Sequence, residues 1–393
     1  MTINNLFSRN WQWNKFTDDT LAAVEARLFS HVRSRITSQF IPITMGRIYT
    51  VVAESSRSSS ARIPVVLIHG FAGGVGFWAA NIDAMAENRL LYCFDLLGFG
   101  RSSRPSFAED PALIELQFVQ SIENWRKEIG ISKMILIGHS FGAFIAAAYT
   151  LVNPERVRHL VLVDPWGFTA KSDRNFSQNF PAWMKIVVRT VSLFYPLSAL
   201  RLAGPYGVTL IKALRPDLAF RFPCIDSNDI YEYIYMCNAQ NPSGEIAFTN
   251  MSFSFGWAKR PMLERQVILL NFIVTCRYCV ESLLFFFLYD STFIIIKACM
   301  IQKSKKYGIF SRIIDLPPSM SITFIFGSRS WIDSSIGVEV QSKRQNSYVD
   351  VQVINGAGHH IYADQTEVFN SALCDLFTKI DADEDIVTLS REQ

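Results

Sequence analysis

The sequence predicts an α/β fold in which a mostly parallel sheet of about eight strands carries helices on both faces and is interrupted by an inserted helical cap. Two observations lead to this prediction. Short, fully apolar runs recur along the chain, separated by segments of helical length, as is typical of parallel strands buried on both faces. One of these runs continues through a glycine-flanked serine into an alanine-rich stretch, "MILIGHSFGAFIAAAYTLV", which reads as strand, sharp turn and helix.

The strand candidates and the cap divide the chain. In chain order the apolar runs are "IPVVLIH" from 63, "LLYCFD" from 90, "MILIG" from 134, "HLVLVD" from 159, "SITFIFG" from 321 and "DVQVIN" from 350. Residues 166–258 are rich in aromatic residues and proline and contain helical patches such as "PAWMKIVVRTVSLF", so we place the cap there. The predicted parts are a tryptophan-containing segment at 1–44, core at 45–165, cap at 166–265, an atypical apolar insertion at 266–311 and core at 312–393.

Composition excludes several classes of function. The 393 residues are 49% hydrophobic and carry a net charge of only +3, which gives no electrostatic footprint for nucleic acid. The seven cysteines form no regular framework and the N-terminus lacks the pattern of a secretory signal, so we expect a reducing, intracellular location. Cys276 and Cys279 form a lone C-x-x-C without further ligands at zinc spacing, and we expect neither metal nor organic cofactor.

Ser140 is the predicted nucleophile. It lies at the centre of Gly138-His139-Ser140-Phe141-Gly142, between a strand and a helix. A serine on such a turn has strained backbone angles, and its neighbours must be glycine because a Cβ there would collide with the adjoining strand or helix. The hydroxyl would then project from the carboxyl edge of the sheet.

A serine hydroxyl needs an imidazole to accept its proton, and the imidazole needs a carboxylate to orient it. His359 directly follows a Gly-Ala-Gly bend after the last strand, and we prefer it to His360 as the base. For the acid we choose Asp333 in "FIFGSRSWID", because it gives the chain order serine, aspartate, histidine of a nucleophile-elbow hydrolase. Asp164, at the end of "HLVLVD", is the rival carboxylate.

The oxyanion formed during acyl transfer requires preorganised N–H donors. The backbone amide of Phe141, the residue after the nucleophile, is one candidate. The amide of Phe71, in the glycine-rich "HGFAGG" after the first apolar run, is the other. The same stretch could be an ordinary glycine turn or a weak phosphate loop, but it lacks the Lys-Ser/Thr ending of a nucleotide site.

Eight sequence motifs carry a family resemblance. They are "HGFAGGVGFW", "FDLLGFGRSSRPSF", "GHSFGAF", "HLVLVDPWGF", "EYIYMCNAQNPSGE", "SFGWAKRPMLER", "WID" and "GAGHHIYADQTEVFN". With them the chain resembles the α/β-hydrolase subfamily that contains abhydrolase domain-containing protein 4, an N-acyl phospholipid lipase, and its sister, the lipid-droplet coactivator of triglyceride lipase. The resemblance spans 11–265 and 312–380. It implies an α/β-hydrolase fold and a serine hydrolase acting on N-acylphosphatidylethanolamine or lysophospholipids.

Several residues distinguish the branches of that subfamily. The coactivator branch typically has Asn where this chain has Ser140, which favours a competent hydrolase. Arg329 and Gly358 instead resemble the coactivator branch, which implies a surface for a partner triglyceride lipase. The resemblance also assigns His359 and Asp364 to an H-x-x-x-x-D pattern linked to lysophosphatidate acyl transfer; the alternative is that Asp364 caps the final helix.

The predicted phospholipid substrate suggests that the protein meets a lipid surface. Trp11 and Trp13 lie in "NLFSRNWQWNKF", and amphipathic indoles favour the boundary of a membrane or droplet. The alternative is that both rings cover the body of the domain. We expect no membrane-spanning helix. We expect a cytoplasmic protein associated peripherally with lipid droplets or internal membranes, with mitochondria as a further candidate.

The insertion at 266–311 breaks the family pattern, because "RPMLER" would otherwise lead smoothly into "RIIDLPPSMSITFIFG". Phe, Ile, Leu and Tyr dominate its composition, unlike the rest of the chain. Charged residues interrupt it too often for a membrane span. We favour a gene-model artefact such as a translated intron; a lipid-binding extension of the lid is the alternative.

Overall fold

The computed structural model describes residues 18–169, 197–222, 225–253, 257–263, 265–266 and 310–392. The strands are β1 (Arg35–Ile43), β2 (Gly46–Glu54), β3 (Val65–Ile68), β4 (Leu91–Phe94), β5 (Met134–His139), β6 (Val157–Val163), β7 (Ser252–Phe253), β8 (Trp257–Ala258), β9 (Arg265–Gln266), β10 (Phe310–Ser311), β11 (Ser321–Gly327) and β12 (Val349–Ile354). Within the described ranges, eight of them form one sheet in the order β1-β2-β4-β3-β5-β6-β11-β12.

The sheet is parallel from β4 to β12 and antiparallel at its β1–β2 edge. The six apolar runs coincide with β3, β4, β5, β6, β11 and β12, which confirms the predicted fold class. β1 and β2 are not among those runs. β1 is largely exposed and lacks a continuous apolar stretch. The pairing of Ile68 with Gly138 places the loops after β3 and β5 side by side at the carboxyl edge.

Apolar side chains cover both faces of the sheet. Along β3, Val65 and Leu67 belong to one buried cluster, whereas Val66 and Ile68 belong to the cluster on the opposite face. Since successive side chains of a strand point to opposite faces, this division explains why the strand carries no polar residue.

The helices follow in chain order: α1 (Asp18–Leu28), α2 (Ile82–Met85), α3 (Pro111–Ile129), α4 (Phe141–Val152), α5 (Ser198–Ala203), α6 (Gly207–Leu214), α7 (Ser227–Asn238), α8 (Ser243–Met251), α9 (Ser335–Lys343), α10 (Ile361–Asp364) and α11 (Thr366–Glu392). Short 3₁₀ helices occur at Val75–Trp78, Pro154–Arg156, Gly204–Tyr206 and Pro216–Phe220. Local sequence explains the bounds of α3. Asp110 accepts hydrogen bonds from two amides of its first turn, and Gly130, with φ of 81°, ends it in a left-handed conformation.

The described part of the predicted cap, from α5 to α8, is helical and is tied to the core by Arg104. Its guanidinium donates to the carbonyls of Gly98 and Gly100 in the core. It also donates to the carbonyls of Cys237 and Asn241 in the cap. One partly buried side chain therefore joins α7 and the loop after it to the loop that follows β4.

The two ends of the insertion meet. β9 and β10 pair antiparallel, with Arg265 opposite Ser311 and Gln266 opposite Phe310. The described residues that flank 267–309 therefore lie side by side. The predictions for residues 267–309, for Trp11 and Trp13, and for the helical patch at 181–194 lie outside the described residues.

Candidate active site

The turn between β5 and α4 holds Ser140 in an unusual conformation. Its φ is 53° and its ψ is −116°, a region that non-glycine residues seldom occupy. A Cβ on Gly138 would collide with the carbonyl oxygen of Gly142, and a Cβ on Gly142 would collide with that of His69. Close approach of α4 to β5 and to the loop after β3 thus explains the glycine on either side of the serine.

A continuous chain of hydrogen bonds connects Ser140 to a buried carboxylate. The Ser140 hydroxyl lies 2.9 Å from Nε2 of His359, so it can donate its proton to a neutral imidazole. Nδ1 of His359 lies 2.5 Å from Oδ2 of Asp164. The serine is only 7% exposed and the Asp164 side chain is fully buried. These atoms have the connectivity of a serine nucleophile, its general base and the acid that orients the base.

The prediction of Asp333 as the acid is wrong. Asp333 lies at the surface near the start of α9, where its carboxylate accepts a hydrogen bond from the amide of Ser335 at 2.9 Å. A hydrogen bond from the Ser335 side chain, together with that amide hydrogen bond, holds the pKa of Asp333 below its ordinary value. The carboxylate that reaches His359 is Asp164, which follows β6 directly.

Three backbone and side-chain contacts fix Asp164. Its φ is 44°, so it lies on a strained turn like the serine, and its amide donates to the carbonyl of Ile325 in β11 at 2.8 Å. The hydroxyl of Ser330, in the loop after β11, donates to the same Oδ2 that contacts His359. The amide of Gly327 lies 3.4 Å from Oδ1, a long contact. Ser330 could not be predicted from the sequence, because a single serine in a loop carries no signal of its own.

Two other histidines close to His359 have structural partners. Nε2 of His139 donates to the carbonyl of His359 at 2.9 Å, and burial together with the nearby His359 holds the pKa of His139 well below its ordinary value. Burial likewise lowers the pKa of His360, whose Nδ1 contacts the Tyr362 hydroxyl at 2.9 Å. The preference for His359 over His360 therefore agrees with the geometry, and neutral His139 supports the His359 backbone.

The two predicted oxyanion donors come from adjoining loops. A Cβ on Gly70, the residue before Phe71, would lie 3.2 Å from Cβ of Ser140, so the loop after β3 passes against the nucleophile. Among the described residues, neither the Phe71 amide nor the Phe141 amide donates to a protein acceptor.

Aromatic rings surround the serine turn. Phe248 of α8 stacks on Phe71 with ring centroids 4.2 Å apart and also contacts Phe141 and Trp166, at 5.1 and 4.8 Å. Phe99 contacts Phe71 at 6.0 Å. The predicted cap and the core thus share one cluster of aromatic rings at the serine turn, and an apolar surrounding strengthens electrostatic interactions inside it.

The residues assigned by resemblance lie beside the loop that carries His359. Asp364 accepts a hydrogen bond from the Gly358 amide at 2.7 Å and pairs with Arg221 of the cap, so its carboxylate faces these groups instead of the first turn of the final helix. The exposed Arg329 donates through Nε and Nη2 to the Gly356 carbonyl, at 3.0 and 2.6 Å. Its guanidinium therefore holds the same loop at Gly356.

The fold and the geometry around Ser140 define a class of protein. A nucleophile elbow at the carboxyl edge of a mostly parallel sheet, with its imidazole on the loop after the last strand, is the architecture of α/β hydrolases. The chain belongs to the family described as alpha/beta hydrolase fold, whose model matches residues 63–366.

Comparison with individual proteins gives close relatives. The chain is 41% identical over 364 residues to the (lyso)-N-acylphosphatidylethanolamine lipase of Mus musculus, covering 92% of each chain. It is 42% identical over 328 residues to the 1-acylglycerol-3-phosphate O-acyltransferase ABHD5 of Homo sapiens, covering 83% of this chain and 80% of that protein. A solved carboxylesterase of Bacillus subtilis shares the fold with a TM-score of 0.54 at 12% identity, over 91% of this chain and 96% of that one. The predicted subfamily is thereby confirmed.

Two structural features bear on partners and cofactors. Within the described ranges, His, Cys, Asp and Glu side chains nowhere gather in a group that could hold a metal ion. No helix in that part of the chain is both long and apolar enough to cross a membrane.

Proposed function

We propose that this protein is a serine hydrolase that removes an acyl chain from N-acylphosphatidylethanolamine or its lyso form. The observation that carries the proposal is the hydrogen-bonded series from Ser140 through His359 to Asp164. The lipase relative at 41% identity supports the choice of substrate.

The proposed reaction has two acyl-transfer steps. Ser140 Oγ attacks the ester carbonyl while Nε2 of His359 accepts the hydroxyl proton, and Asp164 stabilises the imidazolium. The amides of Phe71 and Phe141 hold the oxyanion. The carbon–oxygen ester bond then breaks, the leaving alcohol takes the proton from His359, and an acyl-enzyme remains. Water activated by His359 hydrolyses that intermediate and frees Ser140.

The surroundings of the nucleophile suit an acyl chain. The stacked rings of Phe71 and Phe248, and the contact of Phe248 with Phe141, the residue after Ser140, form an apolar aromatic cluster at the serine turn. Long acyl chains reside in membranes and droplets, so the enzyme would act at a lipid surface, with Trp11 and Trp13 as the proposed contact. Association with lipid droplets or internal membranes belongs to this proposal.

Acyl transfer to a lysophospholipid is the second candidate function. The acyltransferase relative at 42% identity favours it. Hydrolysis and transfer share one acyl-enzyme and differ only in whether water or a lipid hydroxyl accepts the acyl group. Coactivation of a triglyceride lipase through Arg329 and Gly358 stays a prediction.

A fluorophosphonate probe tests the proposal together with hydrolysis of N-acylphosphatidylethanolamine vesicles. We expect the wild-type protein to label, and Ser140→Ala to abolish labelling and to lower kcat by roughly 10⁴-fold or more, because the members of a triad act as a unit. Ser342→Ala, at an exposed position of α9, is the matched control and should label normally. A wild-type protein that does not label, or a Ser140→Ala variant that retains lipase activity, would contradict the proposal.

A further inference from the structure

An arginine of the cap reaches a carboxylate next to the catalytic loop. Arg221 follows the short helix Pro216–Phe220, and its Nε donates to Asp217 at 2.7 Å. Its Nη1 pairs with Oδ1 of Asp364, at the end of α10. The two side chains are 25% and 10% exposed, so the ion pair is largely shielded from water and from screening by salt.

The second oxygen of Asp364 holds the backbone beside the proposed base. Oδ2 accepts a hydrogen bond from the Gly358 amide at 2.7 Å. The next residue is His359, whose own carbonyl accepts a hydrogen bond from His139. The His359 backbone is therefore held from two directions, by the core through His139 and by the cap through Asp364 and Arg221.

The charges around Arg221 are balanced. Asp217 also pairs with Arg215, through two contacts of 2.9 Å, and the hydrogen bonds from Arg215 are the main reason that the pKa of Asp217 lies below its ordinary value. One carboxylate thus faces two guanidinium groups, and Asp364 supplies the second negative charge. Burial alone would lower the pKa of Arg221, but the hydrogen bonds to Asp217 and Asp364 outweigh it and raise that pKa.

We propose that the ion pair between Arg221 and Asp364 couples the position of the cap to the orientation of His359, and that both are positioning residues. The inference rests on the proposed function only for the role of His359 as the base. In this proposal Asp364 has the same role whether water or a lipid hydroxyl accepts the acyl group. Because His359 acts in every acyl-transfer step, loss of the pair should slow hydrolysis and transfer by the same factor.

Matched variants separate this coupling from a general effect on the cap. Arg221→Gln removes the pair, and Asp364→Asn removes its charge while leaving an oxygen for the Gly358 amide. Arg215→Gln is the control, because it removes an equal charge and a contact to Asp217 but none to Asp364.

For Arg221→Gln and Asp364→Asn we expect the rate of fluorophosphonate labelling and kcat on a short soluble ester to fall by about ten-fold, since small displacements of a catalytic group are costly. The KM should change by less than about two-fold. The double variant should be no slower than either single one, because the two residues contribute one interaction. Arg215→Gln should label within about two-fold of wild type.

Hydrogen–deuterium exchange gives a readout that does not require activity. The Gly358 amide should exchange faster in Arg221→Gln than in Arg215→Gln, with equal melting temperatures for the two variants. The inference is wrong if Arg221→Gln labels at the wild-type rate and its Gly358 amide exchanges at the wild-type rate. It is also wrong if Asp364→Asn slows acyl transfer but not hydrolysis. A wild-type protein that labels but leaves acyl phospholipids intact would refute the proposed substrate and not this coupling. If the wild-type protein does not label at all, the exchange of the Gly358 amide in Arg221→Gln and Arg215→Gln still tests the coupling.

Discussion

Two neighbouring strands each end near an aspartate, and only one of these aspartates reaches the histidine. Asp164 follows β6 directly, is fully buried, and contacts Nδ1 of His359. Asp333 lies beyond the end of β11, at the surface, and contacts the start of α9. Because β6 and β11 pair side by side, both strand ends lie at the same edge of the sheet.

The difference shows that position along the chain does not select the acid. A carboxylate that orients an imidazole must reach it from a rigid, shielded place, which the strained turn at Asp164 provides. The loop after β11 contributes to the same site in another way. Ser330 donates to Asp164, and Arg329 supports the loop that carries His359.

The largest expected effect separates the two aspartates. Asp164→Asn should lower kcat on a short soluble ester by roughly 10⁴-fold, because an amide at this place stabilises the wrong tautomer of His359. Asp333→Asn is the matched control, and its kcat should stay within about two-fold of wild type. Steady-state kinetics of both variants tests the comparison. Equal losses in the two variants would mean that the loop after β11 supplies part of the acid function.

A smaller effect is expected for the hydroxyl that holds Asp164. Ser330→Ala removes a hydrogen bond to a buried carboxylate, an interaction worth about 1.5 kcal/mol or more, so kcat should fall by about ten-fold. Ser330→Thr keeps the hydroxyl and serves as the control, to be measured with the same ester. If Ser330→Ala retains wild-type kcat, the orientation of Asp164 depends on its backbone alone.

Patterns that are local in sequence could be predicted, and contacts between distant segments could not. The Gly-x-Ser-x-Gly turn and the glycine bend before His359 each determine their own geometry, so the sequence alone singles out Ser140 and His359, which lie 2.9 Å apart in the structure. The choice between Asp164 and Asp333 depends on how far each loop extends beyond its strand, which composition does not encode. The contact between Arg221 and Asp364 joins residues 143 positions apart. The H-x-x-x-x-D pattern that contains Asp364 gives no sign of Arg221 as its partner.

The smallest expected effect is on the stability of the fold, and it tests the contact that Asp333 makes at the start of α9. Its carboxylate accepts the Ser335 amide at the start of α9, so Asp333→Ala should lower the free energy of unfolding by about 0.5–1 kcal/mol at pH 7. The folded-state pKa of Asp333 lies below its ordinary value of 3.8. The contribution of the charged form is therefore complete above that value and disappears as the pH falls through the lower folded-state pKa.

Urea unfolding of wild type and Asp333→Ala at pH 7 and below pH 4 should show that the difference in unfolding free energy shrinks in acid. A difference that does not change with pH would exclude the carboxylate charge as its source, and Asp333→Asn, which keeps an acceptor oxygen, should lose less stability than Asp333→Ala.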